Sequence, residues 1–251
     1  MMGEAGRLTR ESDIEGKERA RQMGNLSVIE TILRSRQTFF EEIREGKGVG
    51  EKMRAMLVSS VAFFALYGAV MGSSHSLLQA LSSAAKLPLL FLTTLVVCAP
   101  TLYFFNLNFG SNQSLSQNVT LMLTSITVTS VLLLSFAPVV TFFLLTTNQY
   151  QFFKLLNVGV FTISGLIGVT FLSRGMQIVS YGGGERAGTR RTVVWLWIIL
   201  YAFVGSQMAW TLRPFVGAPG LPFELFRQLG GNFYANVLAS FGEILGFVTV
   251  R

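Results

Sequence analysis

Few residues in this chain could carry out a reaction. His75 is the only histidine and Cys98 the only cysteine. Nucleophilic or acid–base catalysis needs a nucleophile beside a base, and a metal centre needs clustered ligands. Neither G-x-S-x-G nor H-E-x-x-H occurs. His75 falls in the polar segment Ser73 to Lys86, where a lone histidine is incidental. Glu243 is the only acidic residue in an apolar stretch. These facts exclude the usual hydrolase and metalloenzyme patterns, and they imply no cofactor. The expectation is a non-enzymatic protein.

Two features bear on mechanism without carrying reactive groups. Ala99-Pro100-Thr101-Leu102-Tyr103-Phe104-Phe105 and Ala137-Pro138-Val139-Val140-Thr141-Phe142-Phe143 share the pattern A-P-x-x-x-F-F. Proline removes a helix hydrogen bond, so Pro100 and Pro138 are candidate helix-break positions. Breaks at matching places in two oppositely directed helices can frame a midplane binding site. Chance recurrence is the competing reading, since proline and phenylalanine are common in membrane helices. The second feature is Trp210-Thr211-Leu212-Arg213-Pro214-Phe215, followed by Gly217-Ala218-Pro219. Its prolines fix a partly extended segment. Trp210, Arg213, Pro214 and Phe215 are the candidate docking residues, on a partner or on the bundle itself.

The elements that position these residues are dictated by charge. From Leu87 to Phe153 there is no Asp, Glu, Lys, Arg or His, with Lys86 and Lys154 at the borders. A soluble domain turns some helix face to water and does not exclude charge for so long. A bilayer demands it, because an ionised group at membrane depth costs about 2.5–3.5 kcal/mol even on the mildest scale. The chain is 51% hydrophobic and 13% charged, with mean hydropathy +0.51, against about 25% charged in a soluble domain. The fold class expected is an all-α, polytopic transmembrane bundle with an N-terminal amphipathic interfacial helix. Spans are read at 55–72, 87–109, 117–145, 152–172 and 192–210. A sixth at 231–250 is the alternative, but Asn232, Asn236, Ser240 and Glu243 form a stripe there and favour an amphipathic helix.

Residues 1–24 mix both charges with almost nothing to bury, and read as a disordered cytoplasmic tail without a signal peptide. Residues 25–46 read as the interfacial helix. Ser27 and Glu30 suit a capping box, and Ile29, Ile32, Leu33, Phe40 and Ile43 share a face directed at the acyl boundary. Packing on a partner or on the protein's own cytoplasmic side is the other reading. Gly46, Gly48 and Gly50 form an elbow. The transmembrane domain covers 55–251, with a proline-rich C-terminal cap at 211–226. Gly68 and Gly72 form a G-x-x-x-G, and Gly159, Ser164, Gly165 and Gly168 give the fourth span a small-residue face for helix packing. The Gly182-Gly183-Gly184 run reads as a hinge in a loop from Ser173 to Arg191.

Lysine and arginine collect on the cytoplasmic side of a membrane. Arg36, Arg44, Lys47, Lys52 and Arg54 precede the first span, and Arg174, Arg186, Arg190 and Arg191 follow the fourth. A cytoplasmic N-terminus places both groups inside. The formal charge of +7 is thus topological, and no nucleic-acid partner is expected.

Leu102 to Asn106, Phe136 to Pro138 and Trp210 to Phe215 resemble a group of bacterial, especially cyanobacterial, multi-span proteins. Some of its members carry the label actin-binding WASP-homology domain-containing. The likeness covers about Phe39 to the C-terminus. No actin-binding helix with a following basic motif stands in this chain. The topology is also similar, more loosely, to five-span Yip-type membrane proteins. Neither resemblance supplies catalytic positions. The expectation is a scaffold, assembly factor or accessory subunit of a larger complex in the bacterial cytoplasmic membrane. Its partners would be the bilayer and other membrane proteins or further copies of the chain. The alternative is a permease or channel subunit, such as the membrane half of an ATP-driven exporter.

Overall fold

The computed structural model describes residues 24, 26–108, 114–147, 149–179, 187–217, 222–226 and 233–244. The tail, the Gly182–Gly184 run and the end of the last apolar stretch lie outside them. All regular structure among the described residues is helical: α1 (residues 26–34), α2 (Arg36–Arg44), α3 (Val49–Gly72), α4 (Leu77–Asn108), α5 (Leu115–Thr146), α6 (Tyr150–Val179), α7 (Ala187–Thr211) and α8 (Phe233–Ile244). Among the described residues, α3 to α6 are long and apolar enough to cross a membrane. That is consistent with the membrane protein expected from composition.

The order of packing is α4 on α3, α3 on α5, and α5 on α6. Glycine makes the first contact possible. A Cβ on Gly68 would lie 2.4 Å from the Ser83 carbonyl oxygen, and one on Gly72 would lie 2.5 Å from that of Gln79. The two helices meet backbone to backbone at both ends of the G-x-x-x-G. Gly168 does the same for α6 on α5, where a Cβ would meet Thr129 Oγ1 and the Ser125 carbonyl. The small-residue face of α6 is therefore divided. Ser164 and Gly168 meet α5, while a Cβ on Gly159 or Gly165 would enter open space.

Inside the bundle, hydroxyl and amide groups join the helices. Ser60 and Thr127 hydroxyls lie 3.0 Å apart between α3 and α5. Tyr67 donates to Asn157 Oδ1 at 2.9 Å between α3 and α6. Most remaining hydroxyls, including Thr94, Thr124, Thr129 and Thr141, donate to their own helix one turn back, as hydroxyls in apolar helices do. Phe64 stacks on Phe91 at 4.1 Å, and Tyr67 meets Phe161 edge to face at 5.6 Å.

The N-terminal helical region differs from the single interfacial helix expected. It breaks at Ser35 into α1 and α2, and it is already helical at residue 26, so Ser27 is internal rather than an N-cap. Ile29, Ile32, Phe39, Phe40 and Ile43 are buried and Leu33 is exposed. The apolar face of α2 is covered by α5 and α6 instead of pointing away from the protein. A capping box does form, but at α5. Ser114 Oγ accepts from the Gln117 amide, and Gln117 Oε1 accepts from the Ser114 amide. Gln117 Nε2 then donates to the Ile43 and Arg44 carbonyls at 3.0 and 3.1 Å. One side chain thus closes the start of α5 and the end of α2 together, satisfying orphan groups of both helices.

The elbow between α2 and α3 is compact. Gly46 (φ +73°) donates to Ile43 O, and Lys47 to Glu42 O, the paired bonds of a Schellman cap. Gly48 also has positive φ, whereas Gly50 is already in α3. Lys47 lies 2.6 Å from Glu45, and its hydrogen bond and charge hold that carboxyl below its usual range.

The polar segment 73–86 and the loop read at 173–191 are largely helix over their described residues. Residues 77–86 form the first turns of α4, and residues 173–179 the last turns of α6. Pro88 lies inside α4 rather than at its first turn. Pro100 and Pro138 are likewise internal to continuous helices.

Candidate functional site

α7 packs on α4, and α6 packs on α5. Trp197 Nε1 donates to the Cys98 carbonyl at 3.0 Å, and a Cβ on Gly205 would rest 3.8 Å from Thr94 Cγ2. With α6 and α7 held by different neighbours, a cavity of about 690 Å³ lies between them. Its floor comes from α4 and α5, through Leu90, Phe91, Met122 and Ile126. Gly165 and Leu166 on α6 form one wall, and Ala202, Gly205 and Ala209 on α7 the other. The size falls in the range of about 300–1,000 Å³ typical of small-molecule sites.

The polar groups of this cavity gather where α6 starts and α7 ends. Gln151, Lys154 and Asn157 lie on α6, with Arg213 just beyond α7. α8 crosses that end. Gln151 Nε2 donates to Glu243 Oε2 at 2.7 Å, and Lys154 Nζ donates to Asn236 Oδ1 at 3.0 Å. On the other side, the Tyr234 and Ser206 hydroxyls lie 2.9 Å apart. α8 is thus strapped to both α6 and α7. Its polar stripe is buried at Ser240, half-buried at Glu243 and exposed at Asn236, while Leu238 and Phe241 are exposed. The stripe of Asn236, Ser240 and Glu243 finds partners in the protein, as an acidic residue in an apolar segment requires.

The expected docking residues meet here. The Arg213 guanidinium lies 3.5 Å from the Trp210 ring centroid, a cation–π contact. Pro214 and Phe215 border the cavity and also turn their carbonyls to α4. Gln79 Nε2 donates to Pro214 O at 2.8 Å, Ser83 Oγ to Phe215 O at 2.6 Å, and Lys86 Nζ to Pro214 O at 3.3 Å. Lys86 also donates to Leu225 O and stands over the Phe226 ring at 4.8 Å. A Cβ on Gly217 would strike His75. His75 is therefore a packing partner of the C-terminal segment. The cap docks on its own chain.

Pro100 and Pro138 are placed elsewhere. Both are exposed, as are Phe104 and Phe142, and neither proline lines the cavity. The two A-P-x-x-x-F-F segments share a burial pattern but do not frame a common site. Among the described residues no group of His, Cys, Asp or Glu could hold a metal ion.

Reading for reactive residues passed over Gln151, Lys154, Tyr201, Gly165 and Gly205. The available signal was a pair of matching stripes. Gln151, Lys154 and Asn157 recur at helical spacing on α6, as Asn236, Ser240 and Glu243 do on α8. Gln79, Ser83 and Lys86 form a third stripe, hidden in what read as a loop. No protein-family model, curated protein or solved structure matches the chain.

Proposed function

We propose that the chain is a non-enzymatic integral protein of the bacterial cytoplasmic membrane. It acts as a scaffold or accessory subunit of a larger membrane complex. Its N-terminus is cytoplasmic, α3 to α6 cross the bilayer, and α7 makes the fifth crossing. The observation that carries this reading is how the interior polar groups are used. Ser60 with Thr127, Tyr67 with Asn157, and Gln79, Ser83 and Lys86 with the cap all bond protein to protein. Side chains used this way fix helix positions. Among the described residues, none of these bonds involves Asp, Glu or His, the residues that form proton relays in coupled transporters.

The test is mild-detergent purification of the tagged protein with mass spectrometry, beside reconstitution in liposomes. A stoichiometric membrane-protein partner and no solute flux are expected. Flux by the protein alone would refute the scaffold reading. The cavity between α6 and α7 favours a second reading, a permease subunit that takes an amphiphile from the side. Recovery of an ATPase as the stoichiometric partner would establish that one instead.

A further inference from the structure

We infer that the groove between α6 and α7 is a binding site for one anionic phospholipid, with an acyl chain between the helices and the phosphate at Lys154 and Arg213. The inference rests on the membrane reading of α3 to α6.

Three observations lead to it. The groove walls are small: Gly165 faces open space, and Gly205 and Ala202 stand on the opposite helix. The floor is apolar and aromatic, through Leu90, Phe91 and Ile126. Such a channel in a bilayer fits an extended hydrocarbon chain, the molecule present there in excess. Second, polar atoms at the groove lack partners. The Tyr201 hydroxyl and Gln151 Oε1 are shielded from solvent and make no hydrogen bond within the protein. A buried hydroxyl or amide without a partner is costly, and a lipid headgroup hydroxyl would donate to Gln151 Oε1, which lies one turn from Lys154. Third, the charge is confined to one end. Lys154 and Arg213 are the cations there, and Glu243 is the acid close to Lys154. Glu243 is bonded to Gln151 and lies outside the groove lining, in which Lys154 and Arg213 are the charged residues among those described. The Lys154 ammonium has three donors and gives one to Asn236. A phosphodiester suits the rest. This polarity, charged at one end and apolar along the helices, is that of a phospholipid and not of a soluble metabolite.

The tryptophans supply the readout. Trp197 and Trp210 line the groove, while Trp195 is exposed on the outer face of α7. Protein in phosphatidylcholine vesicles would be titrated with a small fraction of brominated phosphatidylglycerol or brominated phosphatidylcholine, and tryptophan quenching compared. Brominated phosphatidylglycerol should quench more at equal fraction. Gly165→Phe should remove the excess by filling the groove. Gly159→Phe, in open space on α6 away from the groove, should retain it. Lys154→Gln should weaken the apparent affinity about fivefold, the worth of one lysine toward anionic lipid. If Gly165→Phe does not insert as a monodisperse protein, Gly205→Val fills the groove from the other wall. Equal quenching by the two lipids, or an excess that survives groove filling, would overturn the inference. Carbonate extraction separates the two levels. A chain stripped from the vesicles loses the membrane reading as well. A chain that stays, with no excess quenching, loses only the lipid site.

Discussion

Gln151 Nε2 and Glu243 Oε2 lie 2.7 Å apart and join the first turn of α6 to the last turn of α8. The bond is charge-assisted, of the kind worth about 1.5–3 kcal/mol. Replacing Glu243 with leucine should release this end of α8, leaving Lys154–Asn236 and Tyr234–Ser206 to hold it. Backbone amides of α8 should exchange hydrogen faster in Glu243→Leu than in the native protein. Unchanged exchange would mean that the strap does not depend on Glu243.

The α3–α4 contact gives a sharper steric prediction. Gly68 and Gly72 approach the Ser83 and Gln79 carbonyls too closely for any side chain. The obstruction is backbone, which cannot rotate away. Gly68→Ala should therefore cost about 1–3 kcal/mol, the range for overpacking a filled interior. Gly159→Ala, in open space on α6, should be neutral or slightly stabilising, because alanine is the better helix former by about 1 kcal/mol. Steric-trap or detergent-denaturation measurements on both variants decide it.

The buried pair Tyr67–Asn157 separates the value of a bond from the cost of leaving one partner. Tyr67→Phe strands Asn157 Oδ1, although Asn157 Nδ2 keeps its bond to Phe153 O. In a membrane the loss should be about 0.6–1.7 kcal/mol, below the figure for a water-soluble core, since the unfolded chain also finds partners in lipid. Adding Asn157→Leu to Tyr67→Phe removes the stranded carbonyl and should recover part of that loss. A double-mutant cycle in bicelles measures the difference.

What could be read from the sequence follows from how strong each constraint is. Excluding charge from Leu87 to Phe153 is a whole-membrane requirement, so two helices long and apolar enough to cross a membrane, α4 and α5, were visible without any structure. Glu243 with its polar stripe announced an amphipathic α8, because an acid in an apolar run needs a partner. The identity of that partner was not legible, since Gln151 lies far away in the chain and just outside the span read at 152–172. α4 starts before the span read at 87–109 and runs through Pro88, and Gln79, Ser83 and Lys86 of its first turns bond the cap. Of the apolar face read in residues 25–46, Ile29, Ile32, Phe40 and Ile43 are buried and Leu33 is exposed. Periodicity states that a face is covered, not by what, and here α5 and α6 cover part of it. The groove was the least visible feature, because Gly165 and Gly168 look alike in sequence and only packing shows that one touches α5 and the other nothing.

The cap offers the last prediction. Gln79, Ser83 and Lys86 stand on successive turns of α4 and all donate to carbonyls of the C-terminal segment. The acceptors are backbone groups of an irregular segment, which has no helix or sheet in which to satisfy them. The interaction is therefore one-sided in sequence. No substitution within 214–215 removes the carbonyls, but changes on α4 remove the donors. Gln79→Leu with Ser83→Ala should loosen the segment while leaving α4 helical, since neither change lowers helix propensity. Lys86→Met removes the ammonium, and with it the bonds to Pro214 and Leu225 and the cation–π contact with Phe226. Each variant should raise the rate of limited proteolysis within 211–226 and shift Trp210 emission, because Trp210 is held beside Arg213 at the root of the same segment. Lys86→Arg, longer and forked, should not restore protection, since two carbonyls around one compact ammonium suit lysine's point charge better than a planar guanidinium. Proteolysis at the native rate in the double variant would show that Gln79 and Ser83 are not needed to retain Pro214 and Phe215.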